Sequence, residues 1–99
     1  LVLILYDFSF KKENLKRKIS VYVLDYKING KCYDCGVRGG KHPEVLELDH
    51  LGDKKFNVSE YRSVTSSIDK VKEEIKKCHL VCANCHRIRT AKRKVKMSA

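Results

Sequence analysis

The sequence contains no Trp, one Pro, one Met and three Phe. With so few large aromatics, a chain of 99 residues has little material for a self-sufficient core. Domains of this size often rely on a staple, either disulfides or a metal. Long apolar runs are lacking too. Leu1 to Tyr6 is apolar, but Asp7 interrupts it far short of the roughly 20 residues of a membrane span. It has neither the basic leader nor the small-residue cleavage site of a secretory signal. A strand or a core-packing arm is therefore expected there, with no membrane association. Internal repeats and low-complexity stretches are absent, which leaves one small domain. Acidic residues are scarce: 12 Asp plus Glu face 22 Lys plus Arg, a formal charge of +10. Such a surplus favours a polyanionic partner. A solvated basic surface would give the same number, so the charge names a class of partner and no more.

The cysteines are Cys32, Cys35, Cys78, Cys82 and Cys85. An odd number leaves a thiol over in any fully paired disulfide set, and four of them form two Cys-x2-Cys pairs. Two such knuckles offer four thiolates to one tetrahedral metal, so Cys32, Cys35, Cys82 and Cys85 are expected to bind a structural Zn²⁺. Free thiols of this kind point to a reducing, intracellular compartment. Residues 36 to 81 lie between the knuckles, too many for a compact ribbon, so folded structure is expected there. Cys78 stands four residues before Cys82 and is an alternative ligand. Its spacing from Val71 and Ile75 places it on the apolar side of a helix, as a small buried hydrophobe.

Between Lys11 and Lys27 the apolar residues Leu15, Ile19, Tyr22, Val23 and Tyr26 fall on one helical face. Asn29-Gly30 supplies a stop, with a left-handed residue expected at the end of the helix. Gly36, just after Cys35, suits a tight turn that aims backbone N–H groups at sulfur. Val37 to Pro43 reads as a basic, Gly-rich loop in which His42 faces solvent. Val45 to His50 reads as a strand, Gly52-Asp53 as a turn, and Lys55 to Val58 as a return strand. Ser59 and Ser67 both look like helix N-caps, Ser67 the better because Ile68, Val71 and Ile75 follow on one face. The segment from His86 onward, with Arg87, Arg89, Lys92, Arg93, Lys94 and Lys96, reads as a basic helix.

Asp49-His50 at a strand end, followed by Cys82-Ala83-Asn84-Cys85-His86-Arg87, resembles the HNH endonuclease family. The likeness is to phage-type members with two Cys-x2-Cys knuckles, and it runs from about Gly30 to Thr90. It implies an α+β fold, a small ββα-metal domain stapled by the four-cysteine zinc site with flanking helices. Residues 1–29 would be an N-terminal arm and amphipathic helix, and residues 30–99 the zinc-stapled nuclease domain, one structural unit.

By the same resemblance Asp49 and His86 would bind a catalytic divalent ion, Mg²⁺ or Mn²⁺ first and Ni²⁺ or Zn²⁺ as alternatives. His50 would be the general base that activates water for phosphodiester hydrolysis. The residue types suit that chemistry. A neutral imidazole accepts a proton near pH 7, and a hard cation neutralises charge on the phosphorane and leaving oxygen. Regular strand geometry sends Asp49 and His50 to opposite faces, so sharing one metal requires a bend near Gly52. Lys77 stands where many members carry an Asn that braces the base, with Asn57 and Asn84 as substitutes. Arg87, Arg89, Lys92 and Arg93 would follow the backbone of DNA, or less readily RNA. Family members serve in homing, phage DNA packaging and restriction, in the cytoplasm of a host cell. Double-strand cutting by one active site would call for a homodimer or a larger phage assembly. The rival reading is a non-catalytic four-cysteine zinc module that binds DNA or RNA, with His50 and His86 incidental.

Overall fold

Helix α1 spans Val2–Ile28 and is the longest element. The computed structural model describes the backbone of residues 2–98 and the side chains of residues 13–61 and 63–96. The apolar start of the chain, expected as a strand or an arm, is helical from Val2 onward. Of the apolar stripe on α1, Ile19 is fully buried and Tyr22 and Val23 are half-buried, while Leu15 and Tyr26 remain exposed. The helix ends at Asn29-Gly30, but without a left-handed residue, because positive φ occurs only at Gly36 and Gly40 among the described residues. Gly30 is required for space instead. A Cβ there would collide with the Leu80 side chain and lie 2.8 Å from the Tyr26 carbonyl oxygen.

Strand β1 is Leu46–His50. Its partner is not Lys55 to Val58, which forms bends leading into a 3-10 turn at Val58–Glu60. The partner is β2, Cys78–Cys82, a full helix later in the chain. The pair is antiparallel, with Leu46 opposite Cys82 and His50 opposite Cys78. Short helix α2, Tyr61–Val64, begins without a side-chain cap, so Ser59 does not fill that role. Ser67 does. Its hydroxyl accepts from the Lys70 N–H at 3.4 Å and starts α3, Ile68–Lys76. Helix α4, Ala83–Ser98, packs across both strands.

Two apolar clusters meet at the sheet. One contains Cys32, Leu46, Leu80, Val81 and Cys82. The other gathers Ile19 of α1, Val58, and Val71 and Ile75 of α3. Leu48 packs against both. Cys78 is buried as expected, but on β2 and not on the helix face. No helix among the described residues is long and apolar enough to cross a membrane.

Candidate functional site

The four knuckle cysteines converge. Cys32 and Cys35 come from the turn after α1, Cys82 from the end of β2, and Cys85 from the first turn of α4. Gly36, at φ +80°, allows that turn to close, its N–H donating to the Cys32 carbonyl at 2.9 Å. All four sulfurs lie within 4.8 Å of one another. The Cys35 and Cys82 Sγ atoms are 3.8 Å apart, and a tetrahedral ion with bonds of about 2.3 Å to sulfur needs sulfurs about 3.8 Å apart. In each knuckle the N–H of the second cysteine points at the sulfur of the first, at 3.4 Å for both Cys35 to Cys32 and Cys85 to Cys82. Burial raises the Cys32 thiol, but the N–H donors around its sulfur outweigh that and lower it to about 6. Four thiolates this close repel one another, and a divalent cation is what allows all four to ionise. The residues therefore fit a metal ion in number, spacing and chemistry.

Cys78 stays apart from this group. Burial, with the charges of Glu74 and Asp49 adding, pushes its thiol up to about 11. Its Sγ–H donates to the Glu74 carbonyl at 3.4 Å. It behaves as the buried thiol that its apolar spacing implies.

Strand β1 stays regular through His50, so its neighbours alternate between faces. The bend at Gly52 comes too late to alter that. Glu47 and Asp49 face α4, where His86 meets them. His86 Nδ1 is 2.7 Å from Glu47 Oε1, and His86 Nε2 is 3.3 Å from Asp49 Oδ1. Asp49 is buried, and its carboxylate is already occupied. Arg93 makes a two-pronged contact with it at 2.8 and 2.7 Å, and Arg89 adds a third bond at 2.9 Å. The Arg93 bonds, helped by Arg89 and opposed by burial, hold the Asp49 carboxyl at about 2.

Arg89 reaches further. Its Nε and a terminal nitrogen each donate at 2.7 Å to Asp34, inside the first knuckle. One guanidinium thus ties α4 to the knuckle and to β1. Tyr33 stacks on His79 beside it, with ring centroids 3.8 Å apart. Of the four basic residues expected to contact nucleic acid, Arg87 and Lys92 are exposed and Arg93 is half exposed, while Arg89 is turned inward.

His50 turns the other way, toward α3. Its Nε2 is 2.9 Å from Glu74 Oε2. Glu74 is buried, and it also accepts from the Lys55 N–H at 3.0 Å and from Lys77 Nζ at 2.9 Å. Burial raises its carboxyl, but the bonds from Lys77, Lys55 and His50 outweigh that and hold it at about 2. Neither Asn57 nor Asn84 braces His50. Asn57 bonds Lys54 and Glu60, and Asn84 lies exposed in α4.

His50 and His86 nevertheless reach the same cleft, a cavity of about 500 Å³ along the side of β1 away from β2. Glu44, Glu47, Lys27 and Asn57 also line it. Asp49 is not in its wall. The structure therefore joins Asp49 to His86 and brings His86 and His50 to one cleft, but it does not turn all three toward one point.

Sequence reasoning missed Glu74, Glu47 and the inward role of Arg89. For Glu74 the signal was present, since it falls in the apolar stripe Val71, Ile75, Cys78 at helical spacing, where a carboxylate needs a reason. Glu47 lies two residues before Asp49 and so shares its face. Nothing in the sequence distinguishes Arg89 from its basic neighbours. Comparison with protein families, with curated proteins and with solved structures finds no match to this chain.

Proposed function

We propose that this protein is a metal-dependent endonuclease of the HNH type, stapled by a zinc ion at Cys32, Cys35, Cys82 and Cys85. The observation that carries the reading is the cleft shared by His50 and His86. On its His50 side, the bond from Nε2 to Glu74 leaves Nδ1 to accept a proton. In this reading a water attacks the phosphorus of a DNA phosphodiester and gives its proton to His50 Nδ1. The bond to the 3′ oxygen breaks and that oxygen takes up a proton from solvent, leaving a 5′-phosphate and a 3′-hydroxyl. Asp49 and His86 would hold a divalent ion, which when bound neutralises charge on the phosphate and leaving oxygen. For that, the half-exposed Arg93 must leave the Asp49 carboxylate, and a phosphate oxygen is the natural competitor for its guanidinium. Arg87 and Lys92 on the exposed side of α4 would hold the DNA backbone without choosing sequence.

The Asp49 contacts also favour a second reading. With both carboxylate oxygens bound to arginine, the same unit would be a zinc module that binds nucleic acid without cutting it. A plasmid-nicking assay in EDTA, then with Mg²⁺ or Mn²⁺, separates the two. The nuclease reading expects metal-dependent nicking that falls by about 10²–10⁴ in His50→Ala, with fold and zinc content retained. Wild-type protein that binds DNA but never nicks it, with any divalent ion, hands the case to the second reading.

A further inference from the structure

Glu74 is 1% exposed, yet it sits among Val71, Ile75 and the aliphatic cluster that joins α1 to α3. A charged group buried in such a place costs stability unless it is fully bonded, and apolar replacements of buried ion pairs are often neutral. Pairing with Lys77, which is 34% exposed and could reach solvent instead, is a weak reason for such a burial. The arrangement of its two oxygens suggests another. Oε1 takes Lys77, while Oε2 takes both the Lys55 N–H and the His50 ring. With Lys77 and Lys55 donating to it, this carboxylate is a pure acceptor, and only an Nε2–H can satisfy it from the ring. The neutral ring then has its lone pair on Nδ1, and the ring lines the cleft.

We infer that Glu74 is the positioning residue for His50, fixing its tautomer and its orientation so that Nδ1 faces the substrate as a base. It would fill the place that the resemblance gives to an Asn and that Lys77 leaves vacant. The inference rests on the nuclease reading of His50, but its geometric half can be tested separately. Glu74 acts through the imidazole and does not touch substrate.

The test combines long-range ¹H–¹⁵N NMR of the His50 ring in the zinc-loaded protein with nicking kinetics, for wild type, Glu74→Leu and Glu74→Gln. Wild type is expected to show a protonated Nε2 and a bare Nδ1. Glu74→Leu, which offers no acceptor, should populate the other tautomer and lose at least about 10-fold in kcat, with KM changed by less than about 2-fold. Glu74→Gln, whose amide oxygen still accepts from Nε2–H, should keep the tautomer and most of the rate. A wild-type ring protonated at Nδ1 overturns the inference, even if Glu74→Leu fails to fold. So does Glu74→Leu with an unchanged tautomer or an unchanged kcat. Equal losses in Glu74→Gln would make Glu74 a residue needed for its charge and overturn the positioning role. A wild type that shows the expected tautomer but never cuts DNA overturns the nuclease reading, and the catalytic part of the inference with it, while leaving the ring geometry intact.

Discussion

The two apolar clusters, which meet at Leu48, are held by different forces. On the knuckle side, three apolar residues share their cluster with two of the four clustered cysteines, and Arg89 bridges Asp34 and Asp49. That side depends on charge: thiolates that need a cation, and a buried carboxylate that needs its guanidiniums. On the α3 side, Ile19, Val58, Val71 and Ile75 form an ordinary aliphatic cluster, with Glu74 and His50 as its polar inclusion. Both bury aliphatic side chains, but the first also holds together groups that need a counter-charge. His50 belongs to the aliphatic side and His86 to the four-cysteine side, so damage to the two sides should reach the cleft by separate routes.

The largest expected effect lies on the knuckle side. Cys82→Ser should unfold the domain, since structural zinc supplies roughly 10–16 kcal/mol of folding free energy in small metal-stapled units. Circular dichroism with metal analysis checks this, and a cooperative melt in zinc-free protein would erase the distinction between the two sides. Cys78→Ser, outside the cluster, should keep one zinc per chain.

On the α3 side, Ile75→Ala should cost about 2–5 kcal/mol, the usual penalty for emptying a buried aliphatic site. Urea unfolding should register that loss while zinc content stays at one per chain. Zinc loss in this variant would show the sides to be coupled more tightly than their separate clusters imply.

Arg89→Ala should cost about 1–3 kcal/mol, because Asp34 loses its partner and buried Asp49 retains only Arg93 and His86. Arg87→Ala with Lys92→Ala, on the exposed side of the same helix, should change stability by no more than about 0.5 kcal/mol each. That pair should instead weaken DNA binding and flatten its dependence on salt. If Arg89→Ala affected only DNA binding, its inward contacts would carry no stability.

A further effect concerns pH. Glu74 is held at about 2 in the folded protein, below its ordinary value of 4.5. A carboxyl depressed by folding adds stability that is complete above the unfolded value and is lost as pH falls through the folded one. In excess zinc, wild type should therefore lose stability as pH drops below about 4.5, and Glu74→Gln should lose less over the same interval. Parallel profiles for the two proteins would remove Glu74 from the acid response.

The four-cysteine cluster was legible because ligand spacing is a local code, with two residues between paired cysteines. Ser67 and the start of α3 were legible for the same reason. The return strand was misread at Lys55 to Val58 because polar and apolar residues alternate there just after the Gly52-Asp53 turn, which satisfies the hairpin pattern, whereas pairing with Cys78–Cys82 is a long-range outcome. Gly30 was assigned to conformation, yet it is needed for the approach of Leu80, a neighbour that no local reading supplies. The opposite facing of Asp49 and His50 was readable from strand alternation alone, but their separate partners, Arg93 and Glu74, came only with the fold.

The five-rung ladder of β1 and β2 gives this arrangement a parity. Side chains on a strand alternate, so a slip of a single residue would exchange the two faces. Asp49 would then confront Glu74, acid against acid, and His50 would be thrust among the arginines of α4. No intermediate setting exists, and the strands are either in step or inverted. Cys82 ends β2 within the thiolate cluster, so a bound metal would pin one end of the ladder, while the Cys78 Sγ–H bond to the Glu74 carbonyl pins the other. Zinc would then serve as an indexing pin for the cleft as well as a staple for the fold.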